Sequence, residues 1–377
     1  MQSSILFVVN NLDFFISHRL NIAKEAKKNG FKVHLAVEKR KNDFEKIELL
    51  KDFYVHNYFI SRSSQNIFYE IYTFLSLYKL IRKVNPKIIH LITIKPIIYG
   101  GIISNFLNIP FKVISVTGMG YVFINKKKIK IKILKYLIVK ILKISLNHNN
   151  QKIIFQNKSD INEFSKIKKI NKNNIILIPG SGVDLILFKN LPENPKNNLV
   201  IMVSRLLKDK GIFEFIEASN IIIKKNLKAR FWVIGELDNS NPASLTKEDV
   251  KYLKRNSRVR FFGFRKDIHR LYSYSNIAVL PSYREGFPKS LIEASASGRP
   301  IITTNVPGCR DAIIDNETGI LVKARDSFEL SFAIEKLLNN KFLRTKMGNK
   351  GRIHAEKTFN ISEVVNQHMK IYNAFFN

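Results

Sequence analysis

At 377 residues the chain is longer than one ordinary hydrophobic core supports and fits two domains. Its 45% hydrophobic and 25% charged residues are those of a globular protein, and no apolar run reaches the roughly 18 residues of a membrane-spanning helix. A net charge of +33 asks for a polyanionic partner, but zinc spacing, RNA-recognition aromatics and a basic tail are all missing, which excludes the usual nucleic-acid binders. The opening MQSSILFVVN has no basic lead and no small-residue cleavage site, so it reads as a first strand and not a signal peptide. A single cysteine, Cys309, permits no internal disulfide and fits the cytoplasm.

In chain order, Ile5–Asn10 predicts a buried strand and Ser17–Asn29 a helix closed by Gly30. A strand follows at Lys32–Val37, a helix at Asn66–Val84, a strand at Lys87–Ile92, a helix after Pro96 and a strand at Phe111–Val116. Lys126–Ser145 predicts a helix on which Lys128, Lys132, Lys135 and Lys143 fall within about 80°. Ile133, Leu134, Leu137, Ile138, Ile141 and Ile144 take its far side. Strands at Lys152–Gln156 and Asn174–Pro179 complete a first series, and strands alternating with helices imply a parallel, doubly wound sheet. Gly180–Asn198, rich in Pro and Asn, has the composition of a linker. A second series then runs Leu199–Ser204, Ala229–Gly235, Val259–Gly263, Ile277–Ser282, Pro300–Thr304 and Gly319–Val322, with helical patterns from Ser327 onward. The expectation is α/β, with two Rossmann-like domains, 1–183 and 184–377, facing each other across a cleft. The last helix has the option of packing back on the first domain. No acidic residue lies between Glu70 and Asp160. Lysine-rich composition alone would not empty a whole stretch of carboxylates, so a basic face in the first half competes with passive lysine content.

Ligands of such sheets bind at the carboxyl ends of strands, so the residues just after each strand are the candidates. After Ile277–Ser282 comes Y-R-E-G-F-P-K-S-L-I-E-A, with Glu285 in the loop and Glu293 two turns into the next helix. Gly286 allows close backbone approach, Pro288 suits a first helical turn, and the helix start offers N–H groups to phosphate. After Leu199–Ser204 comes R-L-L-K-D-K-G, which sets Arg205 and Lys210 beside another helix start. Fixed cations there suit a diphosphate. Spacing by itself leaves surface charge as the alternative for each pair; their order, each at a strand end, joins them into one constellation.

S-R-L-L-K-D-K-G, F-F-G-F-R-K-D-I, L-P-S-Y-R-E-G-F-P-K-S-L-I-E-A and G-R-P-I-I-T-T-N-V-P-G-C-R-D together resemble the family 4 retaining glycosyltransferases of GT-B fold. More narrowly the chain resembles their bacterial capsule, O-antigen and N-glycan branch, which S-H-R (Ser17–Arg19) and V-T-G-M-G-Y-V-F (Val116–Phe123) also match. The resemblance implies an acceptor-binding first domain and a donor-binding second one, with no cofactor. Arg205 and Lys210 would neutralise the donor diphosphate and Glu285 would contact the sugar. Glu293 would bind the ribose, Gly286, Phe287, Pro288 and Lys289 would surround sugar and phosphate, and Gly263, Phe264 and Arg265 would read the base. A UDP-sugar, N-acetylhexosamine first, is the expected donor, and a lipid-diphosphate-linked saccharide the expected acceptor. No D-x-D triplet occurs, so the two cations would do a metal's work. The chain departs from many relatives in lacking a glycine-rich loop after the first strand and in carrying Thr117-Gly118 where a His is common. His18, Arg19 and Lys95, together with Thr117 and Gly118, are the acceptor-side candidates, while His90 reads as a core histidine. An enzyme peripheral on the inner face of the cell membrane, held by anionic lipid, follows from such an acceptor and from the lysine-faced helix.

Overall fold

The computed structural model describes residues 3–39, 43–60, 66–118, 129–167, 170–238 and 241–375, without the side chains of Phe44 and residues 129–135. Two compact units form, Met1–Ile178 with Ser362–Asn377, and Pro179–Ile361. The expected boundary was 183/184, with the last helix given the option of packing back on the first domain; the chain leaves the first unit at Ile178 and returns to it at Ser362.

The first unit holds β1 (Ser4–Val8), β2 (Lys32–Val37), β3 (Tyr54–Asn57), β4 (Ile88–Ile92), β5 (Phe111–Val116), β6 (Gln151–Phe155) and β7 (Ile175–Leu177). All pair in parallel, in the order β3-β2-β1-β4-β5-β6-β7. β4, IIHLI, is buried at every position, as a central strand covered on both faces requires. Helices α1 (Leu12–His18), α2 (Leu20–Lys28) and α3 (Phe44–Glu48) connect the first three strands. The chain then crosses to the other side of β1, and α4 (Ile67–Val84), α5 (Ile94–Phe106), α6 (Ile129–Ser145) and α7 (Lys158–Ile167) pack on the opposite face. There Leu77, Ile81, Ile97, Leu142 and Phe164 share one core with Leu6 and Val8.

Three expectations change here. The helix predicted from Ser17 starts at Leu12, capped by Asn11, whose Oδ1 accepts from Phe14 N–H at 2.8 Å. It breaks at Arg19 (φ −132°), which ends α1 and begins α2. β3 was not anticipated, because its four residues YVHN lie at the sheet edge and carry no apolar run. On α6, Leu137 and Ile144 are 49% and 58% exposed and Ile141 is also exposed, while Leu142 is fully buried. The buried stripe therefore runs through Ile138 and Leu142, rotated from the predicted apolar side. Lys126–Lys128 and the side chains of Lys132 and Lys135 lie outside the described residues.

The second unit holds β8 (Leu199–Val203), α8 (Ile212–Lys224), β9 (Arg230–Ile234), α9 (Lys247–Arg255), β10 (Arg260–Phe261), α10 (Ile268–Tyr274), β11 (Ile277–Leu280) and α11 (Lys289–Ala296). β12 (Ile301–Thr304), β13 (Gly319–Val322), α12 (Ser327–Asn339) and α13 (Lys341–Thr358) follow. Its six parallel strands run β10-β9-β8-β11-β12-β13. The strand order reverses direction between β1 and β4 in one sheet and between β8 and β11 in the other, which are the switch points where doubly wound sheets receive ligands.

Residues 180–198 are not a linker. Val183 N–H donates to Phe359 O at 2.8 Å, Phe188 is 7% exposed, and Arg352 Nη1 donates to Phe188 O at 2.6 Å. Arg299 donates to the Leu191 carbonyl. Glu193 meets Arg344 Nη2 at 3.0 Å, with side chains only 8% and 2% exposed. Pro and Asn shape the irregular path, but three arginines of the second unit bind it down.

The last helix, α14 (Ile361–Asn373), joins the first unit from Ser362 on. Tyr372 OH and His90 Nδ1 share a 2.7 Å hydrogen bond, and His90 Nε2 reaches Ser115 Oγ at 2.7 Å. Burial holds the His90 pKa well below the ordinary imidazole value, so it is a neutral core residue. No helix among the described residues is long and apolar enough to cross a membrane.

Candidate functional site

The loop after β11 lies at the β8/β11 switch point and is tied on both sides. Tyr283 N–H and Ser282 Oγ donate to Asp209 O, at 2.8 and 3.0 Å, in the turn Lys208–Lys210 that comes after β8. Glu285 N–H donates to Pro307 O at 3.1 Å, in the loop after β12. Two glycines make this closeness feasible. A Cβ on Gly211 (φ +75°) would stand 2.1 Å from the Pro281 carbonyl oxygen, and one on Gly308 (φ +81°) 2.5 Å from that of Glu285. Thr304 Oγ1 donates to the Ser282 carbonyl and completes the frame.

This frame brings Lys210 Nζ to 2.5 Å from Glu285 Oε1, with side chains 13% and 12% exposed. Arg205, at the end of β8, is half exposed and pairs with Asp238 at 2.6 Å. Glu293 lies two turns into α11, 3.6 Å from Lys289 Nζ. Burial raises the Glu293 pKa, opposed by the Lys289 charge. Pro288 occupies the N-cap of α11 and no side chain caps it. Phe287 packs edge-on against Phe359 at 5.5 Å, which anchors the loop beside Gly286. Gly263 (φ +69°) accepts from Gly235 N–H at 2.8 Å, and Phe264 beside it is 63% exposed. Arg265 makes a two-bond pair with Asp267, at 2.8 and 2.6 Å. Its charge is thereby committed locally, and what the loop offers is backbone and an aromatic face.

In the first unit the predicted residues are more dispersed. His18 ends α1, stacked on Phe14 at 4.3 Å with Ser17 Oγ 2.7 Å from its Nδ1. Arg19 is 2% exposed, and burial lowers its pKa to about 10. Its Nη1 donates to His18 O at 2.9 Å and its buried Nε has no hydrogen-bond partner among the described residues. Expected beside a ligand, it is closed from the surface. Lys95 pairs with Glu70 at 2.6 Å, and Tyr99 OH donates to the same carboxylate. Thr117 and Gly118 come directly after β5 and are half-buried. His18 and Arg19 lie at the junction of α1 and α2, Lys95 in the first turn of α5, and Thr117 and Gly118 directly after β5.

Sequence reasoning assigned no role to Asp238, Gly308 or the trio Tyr283, Glu214 and Arg325. Tyr283 OH donates to Glu214 at 2.6 Å, and Arg325 stands 4.5 Å over its ring. Asp238 comes after β9 with no motif around it. The V-P-G triplet before Cys309 was a usable signal, since glycine after a strand end marks close backbone approach.

An Arg and a Lys, each held by a carboxylate, are gathered at strand ends near a helix start that no side chain caps. Sequence comparison agrees with that geometry. The profile of Glycosyl transferases group 1 matches residues 184–354, and that of Glycosyl transferase 4-like residues 4–157. The chain is 28% identical over 330 residues, 84% of each chain, to the N,N'-diacetylbacillosaminyl-diphospho-undecaprenol alpha-1,3-N-acetylgalactosaminyltransferase of Campylobacter jejuni. It is also 28% identical, over 84% of each chain, to the UDP-Gal:alpha-D-GlcNAc-diphosphoundecaprenol alpha-1,3-galactosyltransferase of Escherichia coli. Among solved structures it resembles the sucrose-phosphate synthase of Thermosynechococcus elongatus, with TM-score 0.79, 20% identity and 99% of each chain covered. With two parallel α/β units and family likenesses over both, the chain belongs to the family 4 glycosyltransferases of GT-B fold.

Proposed function

We propose that the enzyme moves an N-acetylhexosamine from a UDP-sugar to a lipid-diphosphate-linked saccharide in bacterial surface polysaccharide synthesis, with retention and without a metal. The observation that carries the donor half is the gathering of Lys210, Glu285 and Arg205 at the β8/β11 switch point. The relatives from C. jejuni and E. coli, whose names specify diphospho-undecaprenol acceptors, support the acceptor half. In this reading Arg205 and Lys210 face the diphosphate, with Lys289 and the N–H groups around Gly286 and Phe287 at sugar and phosphate. Glu293 accepts from the ribose hydroxyls, and residues 263–265 meet the base through the main chain and the Phe264 ring. The bond from the sugar to the phosphate oxygen breaks and the acceptor oxygen bonds to the same face. The leaving phosphate takes the acceptor proton, so UDP departs and no separate base is required. Fixed cations meet the charge that develops on the phosphate. On the acceptor side His18, Lys95 and Thr117 are the polar candidates with partial exposure, and the enzyme works peripherally on the inner face of the membrane.

The direct test is transfer from a panel of UDP- and GDP-sugars to a short-chain diphosphate-linked saccharide. Product from a UDP-N-acetylhexosamine, with its anomeric configuration retained, is the expected result. A preferred UDP-hexose would change only the sugar, while an inverted product would end the retaining assignment. Excess EDTA should leave most of the rate in place; loss in EDTA with recovery in Mn²⁺ would show that the cations do not replace a metal.

Glu293→Ala should weaken UDP binding more than it slows the chemical step, because the ribose does not react. Its buried carboxyl protonates at higher pH than a free one, so UDP affinity should fall as pH is lowered, and Glu293→Gln should flatten that profile. Calorimetric titration of UDP against each variant decides it; unchanged affinity removes Glu293 from the site.

A further inference from the structure

Among the described residues of the first unit, exposed apolar side chains gather on α4, which the site does not use. Ile67, Phe68, Ile71, Tyr72 and Leu75 are between 48% and 76% exposed. At a helical 100° per residue they share an arc of roughly 140°. The same face continues into Lys79, Arg82 and Lys83, which are exposed and form no ion pair with a described residue. The opposite face, Thr73, Leu77, Leu80 and Ile81, is buried in the core. Glu70 is turned inward to Lys95 and Tyr99 of α5, which fixes the rotation of the helix and removes its one carboxylate from the outer face. Phe59 packs edge-on against Tyr72 at 5.0 Å, and Tyr72 still leaves 59% of its surface exposed. Phe106, at the end of α5 and 73% exposed, extends it beside Tyr78 at 6.1 Å.

We infer that α4 seats the enzyme on an anionic lipid bilayer, its aromatic half in the headgroup boundary and its cationic half on the lipid phosphates. The inference rests on the lipid-linked acceptor proposed above and names the surface that meets its membrane. An amphipathic helix with aromatic and aliphatic residues beside unpaired cations has the chemistry of the interface. Charge complementarity selects this occupant. No acid comes after Glu70 until Asp160, so a second copy on the same face would bring cations together with no carboxylate to offset them. A bilayer rich in acidic lipid offsets all of them.

The experiment is partition of the full chain onto phosphatidylglycerol-containing and pure phosphatidylcholine vesicles, at low and high salt. The wild type should bind the anionic vesicles at low salt and leave them at high salt. A triple variant, Lys79→Gln with Arg82→Gln and Lys83→Gln, should bind roughly a hundredfold less, at about fivefold per cation. A double variant, Phe68→Ser with Tyr72→Ser, should lose about tenfold. Both should keep the wild-type circular dichroism and its rate on a water-soluble short-chain acceptor. Wild type that ignores anionic vesicles, or α4 variants that bind like wild type, overturns the inference. So does a wild-type dimer in sedimentation velocity that the same variants dissociate. Failure on vesicles with transfer to the soluble acceptor intact rejects the surface alone. Vesicle binding without transfer to any diphosphate-linked saccharide rejects the acceptor reading and leaves the surface standing.

Discussion

Replacing Lys210 or Arg205 by alanine is expected to cost about 2–4 kcal/mol at the transition state, the range for removing one preorganised charge partner. Both changes should appear in kcat with a UDP-sugar, since the leaving diphosphate gains charge only as the bond breaks. The two variants should differ in stability. Lys210 is nearly buried on Glu285, so its loss strands a carboxylate of low exposure and should lower Tm. Arg205 is half exposed beside Asp238, and solvent screens that pair, so Tm should hardly move. Adding Glu285→Gln to Lys210→Ala should recover Tm without recovering rate. Near-normal rates in both single variants would mean that the donor sits elsewhere.

Breaking the Glu193–Arg344 pair is expected to cost roughly 3–5 kcal/mol of second-unit stability, because each partner leaves the other buried and charged. Arg344→Met should lie at the upper end, since Nη1 also donates to the Leu337 and Leu338 carbonyls at 2.7 Å. Glu193→Gln should cost less, because the amide still accepts one bond. A true linker would tolerate either change within about 0.5 kcal/mol. Urea melts followed by the fluorescence of Trp232, the one tryptophan, report on this unit. A midpoint unmoved in both variants would restore the linker reading.

That segment shows where sequence reading stops. Pro and Asn between two strand series look the same whether the chain is loose or bound, and the arginines that bind it are 100 or more positions away in sequence. The alternation of apolar runs with helical periods was local information, and it yielded both sheets except β3 and the break at Arg19. β3 needs only a neighbouring edge, not an apolar run, and the Arg19 break is a one-residue kink across which i→i−4 hydrogen bonds continue. In the second unit the motifs were compact, and the fold brings Lys210 onto Glu285 as their strand-end positions suggested. The first-unit candidates were isolated polar residues, and isolation is ambiguous. Arg19 lies under the surface, and Lys95 has its own carboxylate in Glu70. The lysine-faced reading of α6 drew attention to charge, whereas the aromatic face of α4 is visible only once burial separates its two sides.

The return of α14 also constrains the order in which the molecule can be made. The first unit spans Met1–Ile178 and Ser362–Asn377, so the whole of the second unit is synthesised before the first can finish. Until then His90 has no tyrosine partner, and Phe7 lacks the Tyr372 ring that packs on it at 6.3 Å. Domains usually mature from the N-terminus as they leave the ribosome. Here the second unit has all of its own residues first, and the earlier unit waits for the helix that carries Tyr372.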